Sequence, residues 1–122
     1  MQNTPLTLTK FAGEAELFYL DCSNVLDEAD SITGLVAMSC LPNDLAGADV
    51  LAFGAPVVNS TGIDFPDGSS ARAGVVIMVR ISDGAPVSDD AERIYTVIAT
   101  FGTSLGNTKI VRGRLMLLPL SY

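Results

Sequence analysis

Ile94-Tyr95-Thr96-Val97-Ile98-Ala99-Thr100-Phe101 decides the fold. It is dense in β-branched and aromatic residues, which fit a pleated, half-buried surface. Two comparable apolar-rich runs accompany it, residues 75–81 before and 110–118 after, each closed by turns bearing Gly, Ser or Pro. Short strands repeated at such spacing read as a β-sandwich or barrel. In the last run Ile110, Arg112, Arg114, Met116 and Leu118 share one face, and Val111, Gly113, Leu115 and Leu117 the other. The second set is the core face. The first, with two arginines among apolar side chains, reads as a surface that packs against something.

Moving toward the N-terminus, Leu6-Thr7-Leu8-Thr9-Lys10-Phe11 alternates apolar and polar, a half-buried strand behind a short loose arm. Gly13 breaks it. Residues 14–21 form a second strand, 23–31 a turn or single helical turn, and 32–41 a third strand stopped by Pro42-Asn43-Asp44. The middle, residues 44–74, is weaker: 50–53 and 56–59 read as short strands between Gly- and Asp-rich turns. No long helical pattern occurs. The expectation is an all-β protein, an Ig-like antiparallel β-sandwich of seven or eight strands. Residues 1–10 are read as N-terminal arm and first strand, residues 11–122 as the sandwich domain.

Composition supports one folded domain of 122 residues with 48% hydrophobic and only 17% charged residues, and a mean hydropathy of +0.40. Soluble domains usually carry about 25% charged residues, so part of the surface is expected to be covered by a partner. The net charge is −7. Residues 1–67 hold ten acids and one base, Lys10; residues 68–122 hold four acids and six bases. Such an acidic balance argues against a nucleic-acid backbone as partner. No apolar run approaches the ~20 residues that span a bilayer, so no membrane role is expected. Met1-Gln2-Asn3-Thr4-Pro5 lacks the basic and apolar regions of a secretory signal, which leads to the expectation of a soluble protein made in a cytoplasm.

The residues of chemistry are sparse. With no His, the commonest general base and metal ligand are missing, and Cys22 and Cys40 have no Cys–His partner and no zinc spacing. They are expected to be free, buried thiols. Gly102-Thr103-Ser104-Leu105-Gly106-Asn107 does not continue into a phosphate-loop Lys and reads as a hairpin turn. Asp27-Glu28-Ala29-Asp30 and Asp89-Asp90 with Glu92 offer oxygens of the kind Ca²⁺ takes, without EF-hand spacing; they read as a turn cap and a solvated loop tip. No enzyme activity and no cofactor are expected.

Three segments carry a resemblance. Phe11-Ala12-Gly13-Glu14 leads into Leu17-Phe18-Tyr19-Leu20-Asp21-Cys22-Ser23 and on to residues 27–32. Val79-Arg80-Ile81-Ser82-Asp83-Gly84 follows, and then the hairpin Tyr95-Thr96-Val97-Ile98-Ala99-Thr100-Phe101-Gly102-Thr103-Ser104-Leu105-Gly106. In this order they are similar to tailed-phage fiber-tail adaptor proteins, small Ig-like virion proteins that join parts of the tail. Cys22 stands where that pattern has an aromatic residue, Asp83 where it has Gly, and Asn107 where it has a base. The resemblance implies a structural virion protein, an adaptor between tail or neck and fiber components. Its partners would be other virion proteins, with several copies arranged as a homo-oligomeric ring. The interface residues expected are Leu6, Leu8, Lys10, Arg112, Arg114 and Met116. Capsid decoration or head–tail joining on the same fold is the alternative. A carbohydrate-binding module ranks lower, since such modules expose aromatic rows and this chain has no Trp and three Tyr.

Overall fold

A computed structural model describes residues 6–120. The five residues preceding Leu6, the arm expected from the sequence, lie outside the described residues. Ten strands follow in order: β1 (Leu6–Phe11), β2 (Glu16–Asp21), β3 (Ile32–Leu41), β4 (Leu51–Phe53), β5 (Val57–Val58), β6 (Ile63–Asp64), β7 (Ser70–Ala71), β8 (Val76–Asp83), β9 (Arg93–Thr103) and β10 (Thr108–Leu118). Two turns of 3₁₀ helix, Ser23–Val25 and Gly47–Asp49, are the helical elements among the described residues. The fold is an all-β, Ig-like sandwich.

One sheet runs β1-β10-β9-β3; the other runs β2-β8-β4, with β5 also paired to β8. β9 lies between β10 and β3, and its alternation explains why. Tyr95, Val97, Ala99 and Phe101 point inward at 2% exposure or less, the period-2 pattern of a strand with one buried face. From the opposite sheet Ile77, Val79 and Ile81 meet them, all fully buried, and Leu115 and Leu117 of β10 complete the core. Burying each such side chain contributes about 1.5–3 kcal/mol.

Two features depart from expectation. β1 pairs with β10 in parallel, from Leu6 opposite Gly113 to Phe11 opposite Leu118, so the sandwich is not wholly antiparallel. The strand count exceeds seven or eight chiefly because the middle segment contains the two-residue ladder of β6 and β7. Asn59 organises that segment. Its Oδ1 accepts from the N–H groups of Gly74, Val75 and Val76 at 2.9–3.1 Å, and its Nδ2 donates to the carbonyls of Thr61 and Arg72. At the other end of the sandwich the Tyr95 hydroxyl, reaching out of the core, donates to the Asp49 carbonyl and accepts from the Ala85 N–H.

Candidate interaction surface

The outward residues of β1, β9, β10 and β3 form one surface, which includes the β10 face that the sequence singled out. Arg112 stands opposite Ile98, Arg114 opposite Thr96, and Met116 opposite Ile94. On the β3 side Leu41 borders Thr96; on the β1 side Thr7 borders Arg114 and Phe11 borders Leu118. Leu41 and Ile110 are each 47% exposed, Ile94 42% and Phe11 39%. Arg112 and Arg114 are exposed, and neither guanidinium has a hydrogen-bond partner among the described residues. The result is a strip of apolar and hydroxyl side chains carrying two cations.

The charge around this strip is sorted by layer. The strands β1, β3, β9 and β10 contain Lys10, Arg93, Lys109, Arg112 and Arg114, and not one Asp or Glu. All 14 acids lie outside this sheet, where the only bases are Arg72 and Arg80. The halves of the sequence hinted at this imbalance, but the sheet order, not the chain order, separates the charges.

Of the six residues expected at an interface, Arg112, Arg114 and Met116 lie on this outer face. Leu6 stands opposite Gly113 in the ladder. Leu8 faces inward and packs against the core. Lys10 requires a correction: it is 1% exposed and presents nothing to a partner. Strand alternation places it on the inner side of β1, opposite Leu117. Its ammonium crosses to the other sheet, donating to the Asp83 carbonyl at 2.8 Å and to the Phe11 carbonyl at 3.3 Å. Burial lowers its pKa below 10.5, opposed by the nearby charges of Glu14, Asp83 and Glu16. A neutral alternation of Leu and Thr around a single Lys gives no local sign of that role.

A second exposed apolar patch lies on the opposite layer. Leu17 and Tyr19 of β2 and Val57 of β5 are 44%, 45% and 56% exposed. They flank Met78 and Arg80 of β8, and a shallow groove of about 460 Å³ runs between Leu17, Ala55 and Val57.

The acidic loop before β3 is held by one of its own carboxylates. Asp30 is buried, and its Oδ1 accepts from the Ser31 N–H, the Ser104 hydroxyl and the Leu105 N–H, tying the β2–β3 loop to the β9–β10 hairpin. Burial pushes its carboxyl up, but hydrogen bonds from Ser104, Thr103, Leu105 and Ser31 outweigh that and hold it below 3.8. Among the described residues no three His, Cys, Asp or Glu side chains gather as a metal site. Both cysteines are free and buried; burial, then the Asp21 charge, pushes the Cys22 thiol up to about 12, and burial also raises Cys40. Neither is poised as a nucleophile.

No protein-family model matches this chain, and no curated protein matches it. Among solved structures it is similar to the periplasmic chaperone SfaE, with a TM-score of 0.53 and 12% sequence identity. The likeness covers 95% of this chain and 56% of the chaperone's, so the chain spans little more than half of that protein. The likeness is one of fold. It agrees with the sandwich described above and carries no function across.

Proposed function

We propose that this chain is a structural protein of a tailed-phage virion, an adaptor joining tail or neck to fiber components by protein–protein assembly. One observation carries the reading: an uncovered face on which Leu41, Ile94 and Ile110 surround Arg112 and Arg114, with no carboxylate in any strand of that sheet. Isolated exposed apolar residues need no explanation, but Leu41, Ile94 and Met116, neighbours across three strands beside the two arginines, mark a contact surface. Arginine among apolar side chains is the composition of interface anchors. The segments resembling fiber-tail adaptors supply the virion context, and the chain acts by surface complementarity rather than by catalysis.

Electron microscopy of source virions labelled with an antibody against this protein tests the reading. Label at the neck or tail supports it. Label spread over the capsid replaces it with a decoration role, and virions without label sink both.

A further inference from the structure

We infer that the free edge of β3, over residues 37–41, docks an extended segment of a different protein, which joins the four-stranded sheet as a further strand. The edge borders the arginine-bearing face but offers main-chain groups rather than side chains, and the inference stands without the virion reading. A row of unpaired N–H and C=O groups is a template for another strand. Folded proteins blunt such rows with charges, with charges turned inward, or by keeping the strand very short. The other edges of this sandwich are blunted in those ways. β1 turns Lys10 inward, and its Phe11 N–H donates to the Glu14 carboxylate at 3.1 Å. β2 begins with Glu16 and ends with Asp21, and β4, β5, β6 and β7 are two or three residues long. β3 has ten residues, Ile32–Leu41, with no charge and no proline. It pairs with β9 alone, and at its start the Ile32 N–H donates to the Gly74 carbonyl. A bulge between Thr33 and Ala37 interrupts the first half. The regular edge is therefore residues 37–41, about 17 Å long. Ala37, Ser39 and Leu41 are exposed on its outer side, while on the inner side Cys40 is buried and Met38 packs against the core. Main-chain groups in such a row are matched by another extended backbone. Strand alternation sets its side chains: apolar beside Met38 and Cys40, where they prolong the core, and uncharged beside Ala37 and Ser39.

Selection from a library of random short peptides against the purified full chain tests this. The peptides recovered should alternate apolar and uncharged polar residues, lack proline, and slow amide hydrogen exchange across residues 37–41. They should lose binding to A37K/S39K, which places two cations along the edge, and keep it to R112E/R114E. All four positions are exposed, and circular dichroism checks that each variant folds. Peptides that bind A37K/S39K but not R112E/R114E overturn the inference, because they read the arginine-bearing face instead. A library that yields no binder overturns it too, as do binders that leave exchange across residues 37–41 unchanged. Sedimentation covers self-pairing: a wild type that dimerises without peptide, with residues 37–41 protected, gives the edge to a second copy and overturns the inference. None of these outcomes depends on whether the antibody labels tails, so the adaptor reading stands or falls separately.

Discussion

Asn59 uses its whole amide to hold the backbone that leads into β8. Asn59→Ala strands the N–H groups of Val75 and Val76 inside the protein, and buried donors without partners are costly. Chemical denaturation should report a loss of about 3 kcal/mol. Asn59→Asp should also destabilise, since it turns a donor into an acceptor against two carbonyls. Asp30 governs the response to acid. A carboxyl held below 3.8 binds its proton less tightly when folded than when unfolded. Its contribution is therefore full above that ordinary value and fades as pH falls through the lowered one. Asp67, lowered by its hydrogen bonds to Ser69, adds to the same slope. Denaturation midpoints measured across acid pH should fall less steeply for Asp30→Asn than for wild type; equal slopes would remove Asp30 from the account.

Elements differ in what their turns tolerate. Gly84, after β8, and Gly106, in the β9–β10 hairpin, share a φ of 85°, a left-handed conformation that favours glycine. Around Gly106 there is open space, whereas a Cβ on Gly84 would lie 2.5 Å from Leu117 Cδ1 and 2.7 Å from Leu51 Cδ2. Gly106→Ala should cost about 1 kcal/mol, and Gly84→Ala about 2–4 kcal/mol, because the second also overpacks the core. Comparing their melting curves separates backbone strain from crowding. Elements also differ in how plainly the sequence declares them. The bounds of β1 and β3 were legible because alternation or an apolar run ended at Gly or Pro, and the two faces of β10 were legible from period 2. β6 and β7 were not, since two residues make no period. Nor was the parallel partner of β1, because pairing direction depends on where the chain returns, not on local residue type. For the interaction surface, Arg112, Arg114 and Met116 were readable from one strand. Ile94 and Leu41 joined them only once the sheet order set β9 and β3 alongside.

At the scale of the whole molecule the two sheets share one core, so they should unfold together. Cys22 follows β2 and Cys40 lies in β3, which places one buried thiol with each sheet. Thiol labelling along a urea gradient should expose both at the same midpoint; separate midpoints would mean that the sheets come apart independently. The acid-free sheet and the acid-bearing remainder give the sandwich a polarity that a net charge of −7 does not convey. The parallel pairing of β1 with β10 has a mechanical consequence. Tension applied between the start of β1 and the end of β10 drags the two strands past each other along their length. The ladder from Leu6–Gly113 to Phe11–Leu118 is then loaded in shear, all at once, instead of peeling open one bond at a time. A part bearing tension through its ends would resist by the combined strength of that row.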